Sequence, residues 1–120
     1  MEKADGDYRT AQREFAATEA PNLDAVCFHA QQCIEKLMKA LLIQLGTVPP
    51  RTHDLHRMSR MLQTHLPDLD FEVSDLRFLS LAAVAFRYPG EAADQQDGQE
   101  ALEICSRLRE TLLSCFSSES

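Results

Sequence analysis

Three polar groups in this 120-residue chain hold side chains that could bind an anion. They are His29, Gln32, Lys36 and Lys39 in a long helical stretch, Arg51-Thr52-His53-Asp54 after two prolines, and Arg87-Tyr88 before Pro89. Together they would supply cations, imidazoles, amides and the start of a helix, which suit a phosphate or another anion. A site built from them requires that the fold bring the three groups together.

Each group also has a purely structural interpretation. His29 could be an ordinary residue at the edge of the core, and Lys39 could pair with Glu35, four residues earlier on the same helix. Thr52 or Asp54 could only cap a helix. Arg87 and Tyr88 could only end a helix and pack against its neighbours.

Sequence patterns of the common enzyme and metal sites are missing. There is no nucleophile elbow, no glycine-rich phosphate loop and no H-x-x-x-H pair. His53 and His56 are close in sequence, but the first turn of a helix is a weak place to infer a metal. The spacings of Cys27, Cys33, Cys105 and Cys115 match no zinc site, and each falls on or near an apolar helix face. We therefore expect core thiols, no metal and no cofactor.

The elements that must position these groups are helices. The longest pattern runs from Asp24 to Gly46, with apolar residues at three- and four-residue steps. Asn22 is expected to cap its start, and Gly46 to end it in the left-handed conformation. Phe28, Leu42 and Ile43 are apolar but lie off the main stripe, which indicates several packing neighbours and a dimer interface. We interpret this stretch as the central helix of a bundle.

Four further helices are expected around it, at about 5–18, 54–65, 72–86 and 99–116. Asp5 or Asp7 would cap the first and Thr52 or Asp54 the third, while the polar segment 91–98 is interpreted as a mobile linker. No convincing strand pattern appears. The sequence therefore predicts one all-α domain over residues 1–120, an up-and-down bundle of four to five helices that forms a homodimer.

The composition of the chain limits the classes of partner that it is expected to bind. The formal net charge is −7, which argues against broad attraction to nucleic acid or an anionic membrane. The charged N-terminus lacks the apolar core of a signal peptide, and no run is long enough to span a membrane. We expect a cytoplasmic protein.

Four blocks of the sequence resemble the HEPN domain (higher eukaryotes and prokaryotes nucleotide-binding). They are CFHAQQCIEK at 27–36, KALL at 39–42, PRTHDL at 50–55 and RYPG at 87–90. The resemblance extends from about Tyr8 to Phe116. It implies a five-helix bundle, commonly dimeric, in a cytoplasmic prokaryotic protein. It also implies nucleotide binding and a minimal nucleotidyltransferase as partner in a toxin–antitoxin-like pair.

The resemblance further implies an alternative, since many HEPN proteins are metal-independent RNases that act on RNA. Those members carry an Arg followed, after four to six residues, by a His just before the last helix. The matching Arg here is Arg87, a candidate catalytic residue, but Ala92, Ala93 and Asp94 stand where the His is expected. An RNase would therefore need a displaced histidine, such as His29 or His53. A binding module would instead use Arg87 and Lys36 for phosphate, His53 and Asp54 to orient it, and Tyr88 against a base.

Overall fold

Helices form most of the structure. It is a computed structural model that describes residues 2–19, 21–85 and 92–119. The helices are α1 (Glu2–Ala16), α2 (Leu23–Gln44), α3 (Leu55–His65), α4 (Val73–Ala85) and α5 (Gln95–Glu119). The described ranges contain no strand, so the predicted all-α class is confirmed. None of the helices within these ranges is long and apolar enough to cross a membrane.

Both ends of α2 are fixed by the residues that the sequence singled out. The side chain of Asn22 accepts a hydrogen bond from the Ala25 amide at 3.0 Å, which confirms the predicted cap. At the other end Gly46 has φ +83°, and its amide donates to the Ile43 carbonyl. The Thr47 amide donates to the Leu42 carbonyl at 2.9 Å, completing a Schellman motif. The predicted left-handed glycine is therefore confirmed.

α2 is the centre of the bundle, because it packs against each of the other four helices. Its predicted stripe is buried from Val26 to Leu41 and joins one hydrophobic core with residues of α3, α4 and α5. Phe28 and Ile43, two of the three apolar residues that lie off the stripe, are exposed at 40% and 64%. Leu42, the third of them, is fully buried in the core, in agreement with several packing neighbours for α2. A helix surrounded by four neighbours buries more than one stripe.

α1 begins earlier than predicted. Asp5 and Asp7 lie inside the helix rather than at its cap, because the helix already starts at Glu2. Ala4 and Ala11 are buried against the bundle, and Asp7 is also buried. The cap assignment was wrong because an acidic residue near a helix start is a cap only when no helical turn precedes it.

α3 begins as expected. Asp54 caps it by accepting from the amides of His56 and Arg57 at 3.0 and 3.4 Å. Leu55, Met58 and Leu62 fill the core from this helix.

α4 also lies where the pattern placed it. It contributes Leu76 and Leu79 to the core. Phe86, its predicted last residue, lies outside the described residues.

α5 starts at Gln95, four residues before the predicted start, so residues 95–98 belong to a helix instead of a linker. Asp94 and Asp97 cap this start reciprocally, since each carboxylate accepts from the other residue's amide, at 2.8 and 3.0 Å. Gly98 is buried, and a Cβ there would meet Leu23 at 3.0 Å and Phe15 at 3.5 Å. The polar run could fold because its glycine lets the α5 backbone approach α1 and α2 closely.

Candidate functional site

Asp7 of α1 joins two of the predicted site residues on α2. Its carboxylate is 9% exposed and contacts His29 Nδ1 through Oδ1 at 2.7 Å. Its second oxygen, Oδ2, accepts from Lys36 Nζ at 2.5 Å. His29 and Lys36 are two helical turns apart, so they face α1 together. The charge of Lys36 is therefore balanced by a buried carboxylate.

Glu35 forms a second cluster, which links α2 to the segment before α3. Its side chain is 6% exposed and accepts from Gln31 Nε2 at 2.9 Å and from Lys39 Nζ at 3.1 Å. It also contacts His53 Nδ1 at 2.7 Å. The predicted pair of Glu35 and Lys39 is thus confirmed, but within a larger network. Gln31 reinforces that network by donating to the His53 carbonyl at 3.2 Å.

These contacts shift the ionisation of Glu35. Burial by itself raises the pKa of this carboxyl group, because it penalises the charged form. Hydrogen bonds from Gln31, His53 and Lys39, together with the charge of Lys39, act in the opposite direction and lower the pKa below its ordinary value. Glu35 is therefore an anion at neutral pH.

His29 and His53 are each oriented by a buried carboxylate. In each ring Nδ1 faces a carboxylate at 2.7 Å, which assigns its hydrogen to Nδ1. Nε2 of each neutral ring is then left as an acceptor. Two oriented imidazoles can accept hydrogen bonds from a ligand or take up a proton.

Two neighbouring hollows lie between α2 and α4 and share Phe28 and Ala83. The larger, of about 360 Å³, is bordered by His29 and by Asp24 near the start of α2. The smaller, of about 150 Å³, is bordered by Gln32 and His53. We call this pair of hollows the α2–α4 groove. It brings together His29, Gln32 and His53, which belong to two of the three groups noted in the sequence.

The other predicted site residues lie elsewhere or cannot be placed. Asp54 uses its carboxylate to cap α3 and borders a different hollow, along that helix. Arg51 is exposed. Arg87 and Tyr88 lie outside the described residues, so the position of the third group relative to the groove stays a prediction. Ala93 and Asp94 stand where the RNase pattern of the family has its His, and they serve the start of α5: the Ala93 amide donates to Asp24 at 2.7 Å.

Sequence reasoning did not assign Asp7 or Glu35 to the site, although it noted the pair of Glu35 with Lys39. A signal existed for Glu35, because Gln31, Glu35 and Lys39 follow one another at four-residue steps along α2. No such signal marked Asp7, whose partners lie on another helix.

The four cysteines lie in or beside the hydrophobic core. Cys27, Cys33 and Cys105 are buried and Cys115 is half-buried, in agreement with core thiols. Burial, with the nearby charges of Asp97, Asp24 and Asp94, raises the pKa of Cys27 to about 12, so this thiol is not ionised at neutral pH. Within the described part of the chain, no three His, Cys, Asp or Glu side chains are placed to hold a metal ion.

Comparison with known proteins gives one match. The HEPN domain family model matches residues 1–115, nearly the whole chain. No curated protein and no solved structure matches this chain. The family consists of nucleotide-binding and RNase-like modules. The extent of the match, together with an all-α structure whose described residues form five helices, shows that the chain belongs to the HEPN domain family.

Proposed function

We propose that this chain is a nucleotide-binding module whose ligand occupies the α2–α4 groove. The observation that carries the proposal is the joining of an aromatic ring, an amide and two oriented imidazoles along one groove. Phe28 offers an apolar surface, and Gln32, His29 and His53 offer hydrogen-bonding groups. Ligand pockets typically combine apolar walls with a few convergent polar groups of this kind.

Arg87 is the residue that we propose for the phosphate. Lys36 and Lys39 are each paired with a buried carboxylate, which offsets their charge. Lys36 is 37% exposed and retains further donors, so we assign it a supporting contact. Tyr88 would pack against the ligand beside Arg87.

Thermal unfolding with a panel of nucleotides tests the proposal. A ligand that binds only the folded state raises the unfolding midpoint. We expect a rise with at least one nucleotide, and we expect Arg87→Ala to remove it. Arg60→Ala changes an exposed arginine on α3 and is the matched control that should keep the rise. No rise with any nucleotide would refute a nucleotide site.

We further propose that the chain forms a homodimer and binds a minimal nucleotidyltransferase, as in a toxin–antitoxin-like pair. We place Ile43, an apolar side chain of α2 that is 64% exposed, in this interface. Ile43→Lys should reduce the mass measured by light scattering from dimer to monomer, and an unchanged dimer mass would contradict this interface. Co-purification with a co-expressed nucleotidyltransferase encoded beside it tests the partner.

Metal-independent RNA cleavage is the second candidate function. It is favoured by the two imidazoles, each oriented by a buried carboxylate and each able to exchange a proton through Nε2. Cleavage of single-stranded RNA in the presence of a chelator should then be lost in Arg87→Ala and in His29→Ala or His53→Ala. An inactive unaltered protein would exclude this function.

A further inference from the structure

The smaller hollow of the α2–α4 groove has the size of a single ring. Its volume is about 150 Å³. Phe28, Ala83 and Val84 form apolar walls from α2 and α4. An apolar cavity of roughly this volume holds one benzene-sized molecule. The hollow therefore fits one six-membered aromatic ring, and a fused double ring would extend beyond it.

Polar groups at the same hollow suit a ring that carries both donors and acceptors. Gln32 uses one N–H of its amide on Gln31 at 2.8 Å, and the amide has a second N–H and a carbonyl oxygen. His53 presents Nε2 as an acceptor, because Nδ1 faces Glu35. Ser80 accepts from the Leu55 amide at 3.3 Å, and its hydroxyl still has a hydrogen to donate.

Charge also favours a neutral ring over a phosphate in this hollow. No Lys or Arg is among the described side chains that border it, and Glu35, which contacts Gln31 and His53 of this border, is paired with Lys39. The adjoining hollow of about 360 Å³ provides further space past Phe28 and Ala83. A sugar and a phosphate attached to the ring have room on that side.

We propose that the smaller hollow is the base subsite of the nucleotide site and that it selects pyrimidines over purines. This inference rests on the proposed nucleotide binding, to which it adds the class of base. The volume favours the single ring of a pyrimidine over the double ring of a purine, and the amide of Gln32 with the imidazole of His53 reads the polar edge of the pyrimidine.

The test compares nucleosides, which lack phosphate, with mononucleotides and inorganic phosphate. Calorimetric titration should show uridine or cytidine binding at least tenfold more tightly than adenosine and guanosine, a difference of about 1.4 kcal/mol. Titration followed by NMR should shift the ring protons of His53, which places the base in this hollow. Gln32→Leu keeps the size but removes the amide, and should weaken pyrimidine binding about tenfold. Gln96→Leu, on the exposed start of α5, is the matched control with unchanged binding.

Ala83→Leu gives an independent variant, since a larger side chain would fill the hollow and abolish nucleoside binding. Equal binding of purine and pyrimidine nucleotides would overturn the inference while leaving nucleotide binding intact. Binding of phosphate alone, with no binding of nucleosides, would also overturn it. If no mononucleotide binds, the proposed nucleotide binding fails together with the pyrimidine selectivity. The failure of the selectivity alone is thus distinguished from the failure of nucleotide binding.

Discussion

Glu35→Gln is the substitution that most directly tests the buried network on α2. It keeps the shape of the side chain but removes the charge that Lys39, His53 and Gln31 contact. A hydrogen bond to a charged group contributes about 1.5–3 kcal/mol. The three bonds do not contribute equally, because the side chains of Lys39 and His53 are 28% and 81% exposed and can be solvated instead. Only Gln31, at 1% exposure, has no such alternative. We therefore expect a loss of about 2 kcal/mol in the free energy of unfolding at pH 7.

The pH dependence gives the same substitution a second, more specific outcome. The folded pKa of Glu35 lies below its ordinary value, which is about 4.3 for an unfolded chain. A depressed pKa stabilises the fold above the unfolded pKa, and that contribution is lost as the pH falls through the folded pKa. The difference between the unaltered protein and Glu35→Gln should be largest at neutral pH and shrink below about pH 4.

Urea unfolding followed by circular dichroism, at about pH 7 and about pH 3.5, measures both outcomes. Glu100→Gln removes an exposed carboxylate from α5 and is the matched control, expected to change stability by less than about 0.5 kcal/mol. If Glu35→Gln is as stable as the unaltered protein at neutral pH, or equally destabilised at both pH values, the network does not stabilise the fold as argued.

Three further predictions use the helix ends and the core, and urea unfolding measures each. Gly46→Ala places a Cβ at φ +83° and should lower the free energy of unfolding by about 1 kcal/mol. Gly6→Ala lies inside α1 with nothing within 4 Å of the new Cβ, so it should raise the free energy of unfolding by up to about 1 kcal/mol. The same sign for both substitutions would contradict the backbone argument. Asn22→Ala should cost about 1 kcal/mol because α2 loses its cap, and an unchanged midpoint would show that water replaces it. Leu37→Ala should cost about 3 kcal/mol, against less than about 0.5 kcal/mol for the exposed Leu81→Ala, and similar costs would mean that Leu37 is not packed as described.

The helices could be predicted because their signals are local. Asn22, Gly46 and Asp54 end or begin helices through contacts within a few residues, so their roles follow from residue type and position. The start of α5 could not be predicted in this way. Its polar residues form a helix because Gly98 packs on Leu23 and Phe15, which are distant in sequence.

Only part of the candidate site could be predicted, because the rest depends on contacts between residues that are distant in sequence. Periodicity placed His29, Gln32 and Lys36 along one side of α2, but it could not show which helix lies opposite. The burial of Asp7 depends on α1 crossing α2 at that point, and the orientation of His53 depends on Glu35. Both lysines looked available for an anion in the sequence, whereas each is paired in the structure.

The packing of α2 against all four other helices has a consequence for how the protein opens. If α2 is removed, the bundle loses much of its shared core, because α2 supplies to it Ile34, Leu37, Met38, Leu41 and Leu42. Partial unfolding that releases α2 therefore amounts to global unfolding, while the end of α5 can separate from the rest at lower cost. In native-state hydrogen exchange, the amides in the middle of α2 should exchange last, at a rate set by the global stability of the chain. The groove that we assign to the ligand is built on this most protected helix, so opening of its α2 wall requires the whole domain to unfold.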